Sequence, residues 1–348
     1  MKVPVLRGPQ KLEWVERPRP AIGPAEVLVK VEFCGVCGSD AHAFHSAIVM
    51  PTGTVMGHEF SGVVVEVGGK VRNCRVGDQV VVRPLLDPEI VSGTKRPILQ
   101  VTQLLETAIG ISPRYDGAFA EYVRIPYPGE MVFPLPSGVS LKEAALAEPL
   151  AVSLHGVRSS RVKPGSRTLV IGAGMIGLGV VQFLKSAGAG KIVVIETAPK
   201  KSEIAKSLGA DAVLNPFSES ADGLRDKVMG IMDGLGADIV FECSGAPAAL
   251  QGSVRLLRRG GQILVVGLHE HPVPFDFFWM LHLEAEIKGS FAYGRDDFQY
   301  VLEFLGKRRV VTEPLITDVI PLADLEEKGL KRVLSSQEVV KILVKPES

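Results

Sequence analysis

The sequence predicts an α/β protein that combines a small β-barrel domain with a doubly wound parallel sheet. Three observations carry this prediction. Up to about Pro136 the chain consists of short β-branched runs between turns that contain Gly and Pro, which favours a compact barrel. After Lys163–Gly165, strand-like and helical stretches alternate, which indicates βαβ units. A further strand-like run, Val339–Val344, follows the last of these units.

The expected domain boundaries follow from this change in pattern. A chain of 348 residues exceeds one ordinary core, so two domains are expected. We assign residues 154–290 to the parallel-sheet domain. Because the tail carries its own strand after that sheet is complete, residues 291–348 are expected to return to the barrel domain of residues 1–153. The expected parallel strands are Thr168–Ile171, Lys191–Ile195, Ala212–Leu214, Asp238–Phe241, Gln262–Val266 and Glu286–Ser290.

Composition excludes several classes of function. Lys and Arg number 39, as do Asp and Glu, so no nucleic acid or other polyanion is expected as a partner. The first residues lack the apolar stretch of a signal peptide, and no apolar run is long enough to span a membrane. The 4 cysteines are too few and too dispersed for a disulfide framework. We therefore expect a cytoplasmic protein.

A dinucleotide-binding turn follows the first strand of the parallel sheet. In Gly172-x-Gly174-x-x-Gly177, the first glycine makes the tight turn, the second lets the pyrophosphate approach, and the third lets strand and helix pack. The pyrophosphate would lie on the helix N-terminus that follows. Glu196 ends the next strand, where a carboxylate binds the ribose hydroxyls and repels a 2′-phosphate. This favours NAD over NADP, although Lys200 and Lys201 nearby would tolerate NADP.

A second constellation has the residue types of a catalytic zinc site. Cys37 lies in a glycine-containing turn, His58 lies between Gly57 and Glu59, and Glu148 stands among Ala, Pro and Leu. A carboxylate in such apolar surroundings is costly to bury unless it is paired or binds a metal. Cys37, His58 and Glu148, with Glu59 in reserve, give three protein ligands and leave one position for water or substrate. Asp40 is suited to accept the second imidazole N–H of His58.

Cys34 and Cys37 also form a C-x-x-C motif, which invites a redox or structural-zinc interpretation. The chain has no second C-x-x-C, and no thioredoxin-like βαβ unit surrounds this one. Cys34 is therefore expected to be a small buried residue outside the metal site, as are Cys74 and Cys243.

These residues resemble the zinc-containing branch of the medium-chain dehydrogenase/reductase superfamily, which includes alcohol, sorbitol, butanediol and threonine dehydrogenases. The resemblance covers nearly the whole chain. It is carried by the motifs already described and by five further anchors: Cys-Gly-x-Cys-Gly-Ser-Asp at 34–40, Val-Gly-Asp at 76–78, Gly-x-Phe-Ala-Glu-Tyr at 117–122, Glu-Pro-Leu-Ala-Val at 148–152 and Glu-Cys-Ser-Gly at 242–245. It implies a GroES-like barrel interrupted by a Rossmann domain, with the active site in the cleft between them.

The resemblance also implies a role for each matching residue. Cys37 and His58 become zinc ligands, Glu148 takes the ligand position used in the polyol branch, and Glu59 becomes an alternate inner ligand. Ser39 would take the alcohol proton, and His42 would pass it to solvent. The other residues assigned to the cofactor site are Met175 and Ile176 in the glycine turn, and Ser244 and Gly267 after later strands.

The implied activity is zinc-dependent hydride transfer between a secondary alcohol, diol or polyol, or its ketone, and NAD, by a homodimer or homotetramer. Segment 84–115 lacks the cysteines of a structural zinc lobe, so one catalytic ion is expected. Phe291-Ala292-Tyr293 replaces the Arg-Tyr pair of sorbitol dehydrogenases, which argues against sorbitol itself. Two alternatives remain: a zinc-free quinone or enoyl reductase, and a catalytically silent dinucleotide-binding protein.

Overall fold

A computed structural model of the chain describes residues 1–46, 50–92, 105–218 and 220–346, with the side chains of residues 88 and 92 excepted. Residues 93–104, within the segment expected to lack a zinc lobe, lie outside this description. The strands are β1 Lys2–Gly8, β2 Lys11–Glu16, β3 Val27–Gly35, β4 Glu59–Val67, β5 Gln79–Val82, β6 Tyr122–Ile125, β7 Val132–Pro134, β8 Arg167–Ile171, β9 Lys191–Ile195, β10 Ala212–Leu214, β11 Ala237–Glu242, β12 Leu257–Val265, β13 Glu286–Gly289, β14 Ile316–Pro321 and β15 Lys341–Lys345.

The helices are mostly short, and some begin at a start signal in the sequence. They are α1 Gly38–Ser46, α2 Pro88–Ser92, α3 Pro128–Met131, α4 Leu141–Ala144, α5 Ala147–Ser159, α6 Met175–Ser186, α7 Pro199–Leu208, α8 Ala221–Ile231, α9 Pro247–Ser253, α10 Phe277–Leu283, α11 Arg295–Gly306 and α12 Lys331–Ser335. Before α4, for example, Ser140 and Glu143 form a reciprocal capping box. None of the helices in the described ranges is long and apolar enough to cross a bilayer.

The chain divides into two compact units. Unit 1 comprises Met1–Glu148, Gly294–Arg308 and Ile316–Ser348, and unit 2 comprises Pro149–Tyr293 and Arg309–Leu315. The boundaries expected from the sequence, after residues 153 and 290, lie five and three residues from the corresponding breaks. The short return of Arg309–Leu315 to unit 2 has no counterpart in the sequence prediction. There, the side-chain amide of Gln182 exchanges hydrogen bonds with the backbone of Val311.

Unit 2 contains the predicted parallel sheet. Its strands run in the order β10-β9-β8-β11-β12-β13, and every neighbouring pair is parallel. All six expected strands are present within a few residues of their predicted bounds. Because β8 lies beside both β9 and β11, its carboxyl end is the point where the strand order reverses, and such points bind ligands in open α/β sheets. The glycine turn follows β8 directly.

Unit 1 contains a seven-stranded sheet in the order β14-β15-β3-β4-β5-β7, with β6 also paired to β3. The C-terminal strand β15 pairs antiparallel with β3, so the last strand of the chain belongs to the first sheet. β3 pairs antiparallel with β4 and sets Gly35 opposite Glu59. The ends of β15, β3 and β4 therefore lie side by side, and three of the residues expected to bind metal, Cys37, His58 and Glu59, lie at these ends.

Candidate active site

Two turns of unit 1 bring together part of the predicted metal site. Cys37 lies between β3 and α1, and His58 directly precedes β4. The thiol of Cys37, a ring nitrogen of His58 and a carboxylate oxygen of Glu59 all lie within 4.8 Å of one another. The register that pairs Gly35 with Glu59 explains this proximity, because it aligns the end of one strand with the start of the next. A soft thiolate, an imidazole and a carboxylate form a donor set suited to zinc.

Asp40 supports this cluster from within α1. One of its carboxylate oxygens, Oδ2, accepts a hydrogen bond of 3.0 Å from the backbone N–H of Cys37. The other, Oδ1, lies 3.4 Å from Nδ1 of His58, and neither of these two buried atoms has a hydrogen-bond partner among the described residues. Burial acts to lower the pKa of His58, but the negative charges of Asp40 and Cys37 outweigh it and raise that pKa well above its ordinary value.

These two atoms, Asp40 Oδ1 and His58 Nδ1, are called the orphaned pair below, and their arrangement fits a metal site. When Nε2 of an imidazole binds a metal, Nδ1 carries the proton and needs an acceptor, which is usually a carboxylate. In this chain Nδ1 of His58 faces Asp40, which leaves Nε2, 3.5 Å from Oγ of Ser39, as the nitrogen that can bind a metal. Binding of zinc through Nε2 would fix the ring proton on Nδ1, which faces Asp40 Oδ1 at 3.4 Å. The residues present therefore fit a zinc ion.

The other predicted residues of unit 1 are placed less closely. Ser39 lies beside the cluster, and His42 is half-buried one turn further along α1. Glu148 is buried in the first turn of α5 but does not join the group formed by Cys37, His58 and Glu59 among the residues that the structure describes. The thiol of Cys34 lies 3.6 Å from the backbone carbonyl oxygen of Gly35, and burial raises the pKa of this thiol well above its ordinary value. It lies outside the metal group as described.

Lys341 is a residue of this site that the sequence analysis missed. It begins β15, is 3% exposed, and donates hydrogen bonds of 2.8 and 2.6 Å to the two carboxylate oxygens of Glu59. Burial acts to lower the pKa of Lys341, but Glu59, Cys37 and Glu148 together raise it above its ordinary value. The only sequence signal was a lysine inside the apolar run Val339–Val344.

The dinucleotide turn of unit 2 has the geometry that its glycines require. Gly172 has φ +94°, a conformation that L side chains rarely adopt, and a Cβ on Gly177 would lie 1.8 Å from the carbonyl oxygen of Gly172. Gly174 differs, because a Cβ there would meet open space. Helix α6 starts immediately after it with no side-chain cap. The open space and the uncapped N-terminus fit a pyrophosphate group.

Three more of the residues assigned to the cofactor lie in this part of unit 2. Met175 is the first residue of α6 and is buried, and the carbonyl oxygen of Ile176 accepts a hydrogen bond from Ser153. Glu196 is buried at the end of β9 beside the turn. Its Oε2 accepts from the N–H of Ala173, and its Oε1 accepts from the N–H groups of Thr197 and Ala198. Glu196 therefore also holds the turn together.

Ser244 and Gly267 lie around a buried carboxylate, that of Glu242. Oε1 of Glu242 accepts three hydrogen bonds, from the N–H and hydroxyl of Ser244 and from the N–H of Gly245. Its Oε2 lies 2.9 Å from Nε2 of His269, and a Cβ on Gly267 would lie 2.6 Å from that same oxygen. The Glu-Cys-Ser-Gly motif predicted this segment as part of the site. It did not predict that the carboxylate of Glu242 would accept these hydrogen bonds or contact His269.

Comparisons with known proteins agree with both halves of this description. Residues 23–137 match the family model "Alcohol dehydrogenase GroES-like domain", and residues 176–307 match "Zinc-binding dehydrogenase". A probable D-xylulose reductase A of Aspergillus clavatus is 33% identical over 95% of both chains. Among solved structures, (2R,3R)-butanediol dehydrogenase of Bacillus subtilis is 33% identical, with a TM-score of 0.88 over 99% of both chains.

A third relative carries a cofactor. A putative zinc-binding dehydrogenase of Sinorhizobium meliloti, bound to NADP, is 30% identical, with a TM-score of 0.84 over 99% of both chains. The family matches confirm the α/β fold with a GroES-like domain and a Rossmann domain, and they confirm an enzyme that works with zinc and a nicotinamide cofactor. The chain belongs to the zinc-containing branch of the medium-chain dehydrogenase/reductase superfamily.

Proposed function

We propose that this enzyme oxidises a secondary alcohol, diol or polyol, or reduces the corresponding ketone, with one catalytic zinc ion and NAD. The observation that carries the proposal is the cluster of Cys37, His58 and Glu59 with the orphaned pair beside it. The relatives named for D-xylulose and for (2R,3R)-butanediol act, by those names, on a ketose and a vicinal diol, which supports a substrate with neighbouring oxygens. The Cys/His/Glu set argues against a zinc-free reductase.

The chain's own residues have defined tasks in this reaction. When bound, zinc supplies Lewis acidity to the substrate hydroxyl and the nicotinamide ring accepts the hydride. Cys37 and His58 hold the ion together with a carboxylate from Glu148 or Glu59. Asp40 fixes the ring of His58. The hydroxyl of Ser39, which lies 3.5 Å from the ring of His58, takes the alcohol proton, and His42 passes it to solvent.

The experiment that tests this function is a substrate panel. NADH formation is followed with secondary alcohols, diols, polyols and L-threonine, with and without a zinc chelator. We expect one class to turn over and to stop with the chelator. Ser39→Ala should lower turnover by about 10²–10⁴-fold while the zinc content stays the same. Ser207→Ala, at an exposed serine of α7 outside both sites, is the control. Turnover that survives complete removal of zinc would contradict the proposal. NADH binding without any turnover would instead indicate a catalytically silent dinucleotide-binding protein.

The preference for NAD rests on Glu196. Its carboxylate lies at the end of β9, where it would accept hydrogen bonds from ribose hydroxyls and repel a 2′-phosphate. Lys201 stands close enough to Glu196 for their charges to interact, and burial lowers the pKa of that lysine. We expect Glu196→Ala to shift the ratio of kcat/KM for NAD and NADP by about tenfold or more towards NADP. An unchanged ratio would remove Glu196 from the cofactor site.

We also propose that two copies pair through unit 2. In the sheet order, β13 is an edge strand, and helix α10, which precedes it in the chain, has no fully buried residue. Phe277, Phe278 and Leu281 on that helix are 70%, 73% and 80% exposed. Unpaired backbone beside an apolar patch is typical of a protein interface. Antiparallel pairing about Ile287 would also set Glu286 opposite the partner's Lys288.

The oligomeric state is tested by light scattering after gel filtration. We expect a dimer or a tetramer for the native chain. The double change of Phe278→Glu and Leu281→Glu should shift it towards monomer. Phe217→Glu, at another exposed apolar residue that is 83% exposed, is the matched control. A native monomer would contradict the pairing.

The 4 cysteines are all free thiols, which favours a reducing compartment, and we propose the cytoplasm.

A further inference from the structure

The carboxylate of Glu59 is held on several sides by neighbouring strands. Leu343 of β15 pairs with Gly35 of β3, and Gly35 pairs with Glu59 of β4. This register brings Lys341, two residues before Leu343, alongside the turn that carries Cys37. There its ammonium donates hydrogen bonds to Val36 O at 2.9 Å and to both carboxylate oxygens of Glu59.

Gly35 provides the space for this arrangement. A Cβ at that position would lie 2.1 Å from Oε2 of Glu59, a separation that real contacts do not show. The carboxylate therefore lies against bare backbone on one side and is bound through both oxygens by Lys341 on another. One of its oxygens is nevertheless within 4.8 Å of the ligand atoms of Cys37 and His58. Glu59 is near enough to compete for a metal ion but is engaged elsewhere.

The pair is buried, which makes its separation costly. The side chains of Lys341 and Glu59 are 4% and 0% exposed. Leaving either charge without its partner in such a place is strongly unfavourable. The charge of Lys341 also acts on Cys37 and on Glu148. The ammonium is therefore positioned to influence each anionic group that has been assigned to the metal.

We propose that Lys341 is a positioning residue that keeps Glu59 off the zinc ion, so that Glu148 is the carboxylate ligand of the resting enzyme and Glu59 enters only when Lys341 releases it. The inference rests on the proposed zinc-dependent function. Removal of the ammonium would let Glu59 bind the metal as an additional ligand. That ligand would occupy the position that substrate or water otherwise takes.

The test uses cobalt(II) in place of zinc, because its visible absorption is strong with four ligands and weak with five. We compare the native enzyme with Lys341→Met, with Lys341→Arg, and with the double change of Lys341→Met and Glu59→Gln. Metal affinity is measured by competition with a coloured chelator. We expect Lys341→Met to lose visible intensity and to bind metal about tenfold more tightly. The double change should restore the native spectrum, and Lys341→Arg should retain it.

The spectrum decides between positioning and charge alone. Loss of a nearby positive charge could tighten metal binding without adding a ligand, in which case the intensity would stay native and the proposal would be wrong. A double variant that kept the weak spectrum would also overturn it, because Glu59 would then not be the added ligand. Failure of the native enzyme to bind one metal ion would instead overturn the proposed function itself.

A second pair of variants serves if Lys341→Met does not fold. Glu59→Gln should leave the native cobalt spectrum and one metal ion per chain, since Glu59 is not a resting ligand. Glu148→Gln should change the spectrum and weaken metal binding. The reverse result, with Glu59→Gln losing the metal and Glu148→Gln keeping it, would show that Glu59 is the resting ligand and would refute the inference.

Discussion

Each unit buries carboxylates against glycine-rich backbone, but the two units satisfy them differently. In unit 2, Glu242 accepts three hydrogen bonds at one oxygen and contacts His269 with the other. Glu196 likewise accepts three backbone N–H groups. In unit 1, Asp40 Oδ1 and His58 Nδ1 are buried 3.4 Å apart without a hydrogen-bond partner among the described residues.

The difference is in the carboxylates themselves: both oxygens of Glu242 and of Glu196 have partners, whereas Oδ1 of Asp40 has none among the described residues. Beside Glu242 the atom without a partner is Nδ1 of the imidazole, that of His269. A buried polar group that is fully hydrogen-bonded stabilises the fold by itself. One left without a partner costs free energy until something satisfies it. We infer that the acids of unit 2 shape backbone for a cofactor, whereas the cluster of unit 1 reaches its stable state only with metal. The predictions below test this contrast.

The largest expected effect is on the metal cluster. Cys37→Ser removes the thiolate, so zinc content should fall to near zero. Losing several kcal/mol of transition-state stabilisation corresponds to about a 10³-fold loss of kcat/KM. NADH binding, measured by fluorescence titration, should remain because unit 2 is unchanged. Cys74→Ser is the control at a cysteine outside the metal group. Retained zinc and turnover in Cys37→Ser would remove Cys37 from the site.

Removal of zinc should destabilise the protein. A ligand present at a thousand times its Kd raises the free energy of unfolding by about 4 kcal/mol, so chelation should lower the Tm in a zinc-dependent way. Calorimetry with and without a chelator measures this. The same treatment of Cys37→Ser should leave its Tm unchanged. An equal Tm shift in both proteins would mean that the chelator acts elsewhere.

Unit 2 should respond to changes in its own acids instead. Glu242→Gln replaces the charged acceptor that Ser244, Gly245 and His269 share, and we expect it to lower the free energy of unfolding by about 2–3 kcal/mol. It should also raise KM for NAD, since Ser244 and Gly267 would shift. Glu203→Gln, an exposed position on α7, is the control. Denaturant titration of zinc-loaded protein gives the comparison, and equal stability of both variants would contradict a structural role for Glu242.

The sequence predicted the parts of this contrast that depend on local chain geometry. The glycine turn, Cys37, His58 and Glu59 each belong to short motifs beside strands, and the structure brings the last three together. Lys341 could not be predicted in the same way, because its contact with Glu59 depends on the register of three strands that are distant in sequence. Local pattern identified β15 as a strand but not the group that its lysine meets.

The residues around Glu242 in unit 2 show the same limit of prediction from sequence. Ser244 and Gly267 were predicted, because each follows an expected strand of the parallel sheet. The contact between His269 and Glu242 was not predicted, because it joins residues that follow two different strands, β12 and β11. Position in the chain gave no sign that either side chain would be buried against the other. The alternation pattern predicts the strands and their parallel pairing, but not which side chains meet across strand ends.

The smallest predicted effect concerns an ion pair of unit 2 away from these corners. Asp238 on β11 pairs with Arg167 and Arg258, and although partial burial acts in the opposite direction, those arginines lower the pKa of Asp238 to about 2. A lowered pKa in the folded state means that the stabilisation is fully present above the unfolded pKa of about 3.9 and is lost as the pH falls towards 2.

We expect Asp238→Asn to lower the free energy of unfolding by about 1 kcal/mol at pH 7, since the pair is only partly buried. The difference from the native protein should shrink between pH 4 and pH 2, as urea titrations of the metal-free proteins would show. A difference that stays constant across that range would mean that Asp238 stabilises unit 2 by packing rather than by charge.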